Sequence, residues 1–304
     1  MTGRWRTAEF VRAAHSWIDA RLAELGIERT GDVEQPHVEE WSTVMRVPTD
    51  DGPVWFKANH EPLRHEAALT ALVSARAPTR VPTPMAFAPD SGWMLMRDGG
   101  RRLRELVEEE RSLDRWHDVL EACARIQLAC EDDVPALLAL GVPDRRLATL
   151  PGSYAELLAT LDDPDPRLPT PAEVAARCDE LAAYGVRETL QHDDLHDGQV
   201  FLGGGTHLLL DWGDSCVSHP FFTLSVTLEG VIGWGVDDVA GSEDLEPYLA
   251  TYLRPYHGRC DRDLSEAARL AMRLGWICRA VNGHVPSDPG QTHTRLRMFV
   301  DGHR

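Results

Sequence analysis

Apolar residues along this chain change their spacing several times, and each change predicts a new secondary-structure element. Between residues 7 and 25 they recur every three or four positions, which predicts an amphipathic helix that ends at Gly26. Short apolar runs bounded by turn residues then predict strands. The predicted strands are Val33–Val38, Val44–Val47, Val54–Lys57, Met85–Ala88 and Trp93–Met96. A helix over residues 61–77 interrupts this series, so the first third of the chain is predicted to be a five-stranded sheet with helices.

After Met96 the spacing becomes mainly helical, with one strand pair inside the helical region. The predicted helices cover residues 101–111, 113–131, 154–161 and 171–185. Three glycines at residues 203–205 predict a hairpin before an apolar strand that ends at Asp211. The pattern is helical again from Phe221 onward. Together these patterns predict an α+β protein.

Composition narrows the class of protein. The 304 residues carry a formal net charge of −18, which argues against nucleic acid and anionic membranes as partners and is compatible with a cationic small molecule. No apolar run of about 18 residues predicts a membrane span, and the first residues do not resemble a secretory signal. The six cysteines form no C-x-x-C pair, which favours reduced cysteines in a cytoplasmic protein.

Side chains that can take part in catalysis are most concentrated between His192 and Asp214. The segment has the spacing H-x-D-x-x-x-x-amide, with Asp194 at the acidic position and Gln199 at the amide position. An apolar run then leads into D-x-G at Asp211. Phosphoryl transfer from a nucleotide with Mg²⁺ needs such a set, because one Asp orients and deprotonates the acceptor while an amide oxygen and a second Asp hold the metal.

A single lysine supports this interpretation independently. Of the 31 basic residues only Lys57 is a lysine, and it ends the apolar-aromatic run Val54-Trp55-Phe56. Lysine is a compact point charge, whereas arginine is a planar fork. A strand lysine that reaches the phosphates of a nucleotide requires the compact group. The alternative is that Lys57 is an ordinary strand residue.

With these motifs the chain resembles the aminoglycoside phosphotransferase/choline kinase family, from about residue 30 to the C-terminus. The resemblance implies a bilobal protein-kinase-like fold, with a five-stranded antiparallel N-lobe at residues 1–97 and a mainly helical C-lobe at residues 98–304. It implies ATP or GTP as co-substrate with Mg²⁺. The implied reaction moves the γ-phosphate to a hydroxyl of a small molecule, such as an aminoglycoside, aminosugar or amino alcohol.

The resemblance also implies roles for individual residues. Asp194 is expected to be the catalytic residue, and Asp211 and Gln199 the metal ligands. Lys57 is expected to bind phosphates with Glu66 as its carboxylate partner. Glu61 is a rival, but it precedes Pro62 and is expected at the very start of the helix.

Nucleotide contacts beyond Lys57 are expected in two places. Ser42 and Thr43 follow Glu39-Glu40-Trp41, where protein kinases carry a glycine-rich phosphate loop, and their hydroxyls are candidates for phosphate contact. Met94 and Met96 are candidates for lining the adenine slot, with Leu95 between them; all three are equally compatible with ordinary core residues.

Two departures from the family leave alternatives open. Gln199 stands where the family has Asn, and its longer side chain displaces the amide oxygen from a position that Mg²⁺ coordination constrains tightly. Asp193 stands where the family usually has glycine. One alternative is a pseudokinase, in which transfer is lost through Gln199 and through the absence of glycine from the loop at residues 39–43. A second is a metal-dependent hydrolase built from the His and Asp residues at 192–197.

The acceptor is not specified by the sequence. Residues 229–246 contain six carboxylates and no Lys or Arg, which favours a cationic acceptor, although each carboxylate is equally explained as a solvated surface residue. Trp234 and Trp276 are candidates for flat walls against a sugar ring, with buried helix packing as the commoner alternative. The oligomeric state is not predicted.

Overall fold

A computed structural model describes residues 2–260 and 262–302. The chain forms two compact units. The first contains the chain up to Gly100 together with Leu202–Gly213, and the second contains Arg101–Phe201 together with the chain from Asp214 onward. The sheet-containing unit therefore includes a segment that comes from much later in the sequence.

The first unit begins with helix α1, Ala8–Leu25. The Thr7 side chain caps its first turn by accepting a hydrogen bond from the Phe10 amide. Gly26 ends the helix in the left-handed conformation, with φ +71°. The helix predicted over residues 7–25 is thus confirmed.

Five strands follow and pair antiparallel in the spatial order β1-β2-β3-β5-β4. They are β1 Glu34–Val38, β2 Ser42–Val47, β3 Val54–Asn59, β4 Ala86–Ala88 and β5 Trp93–Arg97. Helix α2, Glu66–Arg76, lies between β3 and β4. The predicted five-stranded antiparallel sheet is confirmed. The helix predicted over 61–77 is shorter, because Glu61–Leu63 forms a separate 3₁₀ turn.

Alternation along β3 assigns its side chains to two faces of the sheet. Phe56 and Ala58 belong to a core with α1, where the Phe56 ring also packs against Trp17 and Trp93. Lys57, between them, has its side chain on the opposite face. The core therefore fixes the register of the strand that carries the lysine.

The second unit is mainly helical. Its first part contains the short strands β6 Arg101–Arg102 and β7 Thr189–Gln191 and the helices α3 Leu103–Glu110, α4 Trp116–Ala129, α5 Val134–Ala139, α6 Leu150–Thr160 and α7 Pro171–Ala182. Helix α5 was not predicted, because its six residues are too few to show a helical period.

After β7 the chain passes through the 192–199 loop into β8, Val200–Gly203, and turns at Gly204 and Gly205 into β9, Thr206–Leu209. In the first unit the Leu209 amide donates to the Arg80 carbonyl. The strand thus ends before Asp211, and Asp211 lies in the irregular segment after it.

The rest of the chain returns to the second unit. It contains β10 Cys216–Ser218, which pairs antiparallel with β7, and the helices α8 Glu246–Leu253, α9 Leu264–Asn282 and α10 Gly290–Asp301. The continuous helical structure predicted from Phe221 is wrong for residues 220–245, where the described segments are short 3₁₀ and π turns. Gly235, with φ +65°, interrupts helical geometry there.

Candidate active site

Lys57 lies between two carboxylates in the first unit. Its Nζ is 2.8 Å from a Glu66 carboxylate oxygen and 2.5 Å from Asp211 Oδ1. Glu66 is buried at the start of α2, whereas the rival Glu61 is exposed and pairs with Arg64. Of the two candidate partners, the structure brings Glu66 to Lys57.

The charges of this cluster support one another. Burial alone lowers the pKa of Lys57, but Asp211 and Glu66 outweigh this effect and hold the pKa above its usual value. For Glu66, burial raises the pKa and is only partly opposed by the nearby Lys57. Lys57 is therefore an ammonium ion whose charge is held by both neighbours.

Asn59 belongs to the same cluster and was not predicted. It lies two residues after Lys57 on β3 and thus on the same face. Its Nδ2 donates to the Glu66 carboxylate and, at 3.2 Å, to the Leu63 carbonyl. The period of two along the predicted strand was the one feature that could have indicated it.

Asp211 is the more accessible carboxylate of the cluster. Its side chain is 40% exposed, against 1% for Glu66. Its backbone has φ +63°, a left-handed conformation that Asp tolerates better than most residues. Gly213 approaches Glu66 closely, since an added Cβ would lie 3.1 Å from Glu66 Oε2. The glycine of D-x-G thus makes room for the partner of Lys57.

The candidate adenine residues fall on two faces of β5. Met94 lies opposite Lys57 in the register, and Met94 and Met96 pack with Ala67 and Leu210. Leu95 points to the other face, into the core with α1. The structure therefore separates Leu95 from the two methionines, whose role at adenine stays a prediction.

Ser42 and Thr43 lie in β2 and not in the loop before it. Thr43 is opposite Ala58, on the core face of the sheet, and its hydroxyl donates to the His37 carbonyl and accepts from Gln35. This geometry argues against the predicted phosphate contact by Thr43. Ser42 shares the face of Lys57 but is only 4% exposed.

Asp194 lies in the loop after β7 in the second unit. Its Oδ1 is 2.7 Å from Arg279 Nη2, and its Oδ2 is 3.9 Å from His196 Nε2. About a quarter of the side chain is exposed. One oxygen of the predicted catalytic residue is thus held by an arginine of α9, while the other faces a histidine at a longer distance.

Asp193, the residue in the glycine position, is almost completely buried. Its φ is +64°, where glycine is normally favoured. Asp193 Oδ1 accepts from Gln191 Nε2 at 2.7 Å, and Oδ2 accepts from Asn282 Nδ2 at 2.9 Å and Arg279 Nη1 at 3.4 Å. The carboxylate therefore anchors the loop to α9.

Arg279 binds three carboxylates of the second unit and was missed by sequence reasoning. Beyond Asp193 and Asp194, its Nη2 is 3.6 Å from Asp214 Oδ2. Burial alone lowers the pKa of Arg279, but Asp214, Asp194 and Asp193 together raise it above its usual value. No sequence motif distinguishes it from the other arginines of the chain.

Asp197 anchors the same loop to α3. Its Oδ1 accepts from Arg104 Nε at 3.0 Å and Nη2 at 2.7 Å. Burial raises the pKa of Asp197, but hydrogen bonds from His196 and Arg104 outweigh it and bring the pKa to about 2. Gln199 is half-buried directly before β8. Its backbone N–H donates a hydrogen bond to the His196 carbonyl at 3.0 Å.

The hydrolase alternative gains no support from the described residues. Within them, the group of three potential metal ligands that the structure brings together is Asp193, Cys216 and Cys278. Both oxygens of Asp193 already accept hydrogen bonds, and burial raises the pKa of Cys216 well above its usual value. The histidines of the predicted hydrolase site, His192 and His196, do not belong to this group.

The acidic segment 229–246 is largely engaged by neighbouring groups. Glu229 accepts from Trp276 Nε1, Asp237 pairs with Arg111, and Glu243 accepts from the Tyr248 hydroxyl. Glu246 pairs with Arg269. Trp276 is buried, which favours the helix-packing alternative over a flat wall for a sugar.

Comparison with known families agrees with this geometry. The sequence model described as the Phosphotransferase enzyme family matches residues 34–270. The chain belongs to this family. A comparison with curated proteins finds no match.

Solved structures share the fold of this phosphotransferase. A choline/ethanolamine kinase family protein from Mesorhizobium loti is 15% identical, with 95% of each chain covered and a TM-score of 0.62. Macrolide 2'-phosphotransferase type I is 14% identical, with 98% of this chain and 99% of that chain covered and a TM-score of 0.58. The streptomycin-ATP-APH(2")-IIa ternary complex is 12% identical, with 93% and 95% covered and a TM-score of 0.58.

Two further expectations concern the environment of the protein. Among the described residues no helix is both long and apolar enough to span a membrane. All six cysteines are thiols; five are buried and Cys260 is partly buried.

Proposed function

We propose that this phosphotransferase moves the γ-phosphate of ATP or GTP, with Mg²⁺, to a hydroxyl of a small molecule. The observation that carries the proposal is the position of the one lysine, whose ammonium group contacts both Glu66 and Asp211. This ordered pair of carboxylates is the arrangement that a phosphate-binding lysine needs to keep its charge and its orientation.

The predicted metal ligands have the chemistry that a magnesium ion requires. Asp211 offers an accessible carboxylate, and Gln199 offers an amide oxygen, both of which are hard ligands that Mg²⁺ prefers. When bound, the ion would neutralise charge on the phosphates. Lys57, with its ammonium held by Glu66, would bind the phosphates through Nζ.

Asp194 is the group proposed to act on the acceptor. Because Oδ1 is held by Arg279, Oδ2 is the oxygen available to accept a hydrogen bond from the acceptor hydroxyl. It would orient that hydroxyl and take up its proton as the hydroxyl oxygen bonds to the γ-phosphorus, while the bond from the γ-phosphorus to the bridging oxygen of the β-phosphate breaks and ADP or GDP leaves. The net charge of −18 supports a cationic acceptor, such as an aminosugar or amino alcohol.

The proposal is tested by measuring ADP or GDP release with Mg²⁺ across a panel of aminoglycosides, macrolides, aminosugars and amino alcohols. We expect release that depends on one class of acceptor. Asp194→Asn should lower that rate by about 10³-fold, within the usual range for loss of a general base, and leave nucleotide binding intact.

The matched control is Asp165→Asn, which removes a carboxylate from an exposed loop where it pairs with Arg167. This variant should keep the wild-type rate. Thermal stabilisation by ATP with Mg²⁺ but without release would instead indicate a pseudokinase. Full activity of Asp194→Asn would show that Asp194 is not the base.

A further inference from the structure

We propose that Arg279 is a positioning residue for the transfer reaction, fixing Asp194 through one nitrogen while it binds Asp193 through the other. This inference rests on the proposed function, because it assigns Asp194 a part in phosphate transfer. The role goes beyond neutralising a buried charge: the guanidinium determines which oxygen of Asp194 is presented to the acceptor.

The first argument is the geometry of the guanidinium. Arg279 Nη2 lies 2.7 Å from Asp194 Oδ1, a short charge-assisted hydrogen bond, whereas Nη1 lies 3.4 Å from Asp193 Oδ2. The planar fork thus contacts two consecutive residues of one loop. A lysine ammonium has no such fixed pair of donors, so it cannot define both contacts at once.

The second argument is the burial of the arrangement. The side chains of Arg279 and Asp193 are 7% and 2% exposed, and that of Asp194 is 24% exposed. Of these two carboxylates, Arg279 therefore makes its shorter contact with Asp194, the one that solvent and a substrate can reach more easily. A purely structural arginine would be expected to make its best contact with the buried carboxylate.

The third argument is the support of Asp193 by other groups. Gln191 and Asn282 both donate to its carboxylate, at 2.7 and 2.9 Å. Asn282 also donates to the Asp214 carbonyl at 2.7 Å. Since Asp193 has two short hydrogen bonds without Arg279, the arginine is left to hold Asp194.

Helix α9, which carries Arg279, packs closely against the segment 222–225. Gly275 lies one turn earlier on α9, and a Cβ there would be 2.0 Å from Ser225 Oγ and 2.8 Å from the Phe222 carbonyl oxygen. Only glycine lets the helix lie this close to the 222–225 segment. The approach brings the last turn of α9, with Arg279 and Asn282, to the loop.

The decisive experiment compares Asp193→Gly with the double variant Asp193→Gly/Arg279→Gln. Removing Arg279 alone leaves a buried carboxylate without its cation and is expected to destabilise the fold. Asp193→Gly removes that carboxylate and replaces it with the residue best suited to φ +64°. The double variant should therefore fold, and its kinetics relative to Asp193→Gly report on the loss of the short Arg279–Asp194 contact and the longer Arg279–Asp214 contact.

We expect kcat of the double variant to be about 100-fold lower than that of Asp193→Gly, the effect of a misplaced reacting group. The KM for the nucleotide should change little. If instead the double variant has the kcat of Asp193→Gly, Arg279 only neutralises Asp193 and the inference is overturned. Wild-type protein that releases no ADP or GDP with any acceptor would overturn the proposed function, and this inference with it.

The matched control is Arg273→Gln on the same helix. Arg273 is partly buried and donates to the Met298 and Phe299 carbonyls of α10. Its loss tests whether any weakening of α9 slows transfer. We expect the wild-type kcat and the wild-type KM for the nucleotide in this variant; a slowing equal to that of the double variant would assign the effect to the helix and not to Arg279.

Discussion

Two charged clusters in this protein are built around different cationic side chains. In the first unit, Lys57 contacts two carboxylates with a compact ammonium group. In the second unit, Arg279 contacts three carboxylates with a planar guanidinium. Lys57 is the one lysine among the 31 lysines and arginines of the chain. The comparison therefore indicates that the choice between lysine and arginine follows the geometry that each cluster needs.

The clusters also differ in how accessible their carboxylates are. Asp211 is 40% exposed, whereas Asp193 is 2% exposed and accepts hydrogen bonds from three donors. The first cluster thus presents to solvent one of the two carboxylates that contact its cation. The second cluster uses its most buried carboxylate to hold the 192–199 loop against α9.

The largest expected effect comes from exchanging the cation of the first cluster. Lys57→Arg keeps the charge but places a wide fork where Nζ contacts both carboxylates. We expect kcat/KM for the nucleotide to fall by about 10³-fold, as when a preorganised electrostatic contact is lost. Steady-state kinetics with varied ATP measure this. Activity near wild type in Lys57→Arg would show that the cluster does not require a compact cation.

The next effect tests how the second cluster is assembled. Gly275→Ala should lower the free energy of unfolding by about 3 kcal/mol, because the new Cβ meets Ser225 Oγ and the Phe222 carbonyl oxygen at contact-forbidden distances. Denaturant unfolding measures the change. Gly152→Ala in α6 is the control, since its Cβ would meet no atom within 4 Å. Equal stability of the two variants would contradict the close approach of α9.

A third prediction concerns acid sensitivity of the second unit. Burial lowers the pKa of His219 to about 3, so folding stability is fully present above the unfolded pKa near 6.5 and declines as pH falls toward 3. At pH 5 the expected loss is about 2 kcal/mol. His219→Asn, which keeps an acceptor for the Phe221 amide, should show a smaller loss between pH 7 and pH 5. An equal loss of stability in the variant and the wild type would show that groups other than His219 cause the acid sensitivity.

The smallest effect tests the contact between Asp197 of the 192–199 loop and Arg104 of α3. The pKa of Asp197 is about 2, so its ion pair with Arg104 stabilises the fold above the unfolded pKa near 3.9 and is lost as pH falls through about 2. Because Arg104 is half exposed, solvent screening limits the contribution to about 1 kcal/mol. Unfolding of Asp197→Asn and wild type at pH 5 and pH 3 should show the difference narrowing at the lower pH.

Much of the fold was predictable because it follows local periodicity. Helix α1 and the five strands were expected within a few residues of their observed bounds, since their apolar positions repeat with clear periods. The exact ends were less predictable: β2 begins at Ser42, two residues earlier than expected, which moved Ser42 and Thr43 out of the loop. Short elements such as α5 and β10 carry too few residues to show a period.

The site was predictable where chemistry is carried by neighbouring residues and not where it is carried by distant ones. The segment from His192 to Asp211 indicated Asp194 and Asp211 by spacing alone. Nothing in the sequence indicated Arg279, because an arginine on a helix has no motif until the helix is packed. Leu95 shows the same limit, since only the register of β5 separates it from Met94 and Met96.

The amino-acid sequence by itself determined the fold class, the sheet, the lysine on its strand and the acidic residues of the loops, because residue type and spacing act over a few neighbours. Tertiary structure alone decided which carboxylate meets Lys57, that Thr43 faces the core and that Arg279 reaches Asp194. Those outcomes depend on strand register and on the packing of helices far apart in the chain, and neither is encoded in any local pattern.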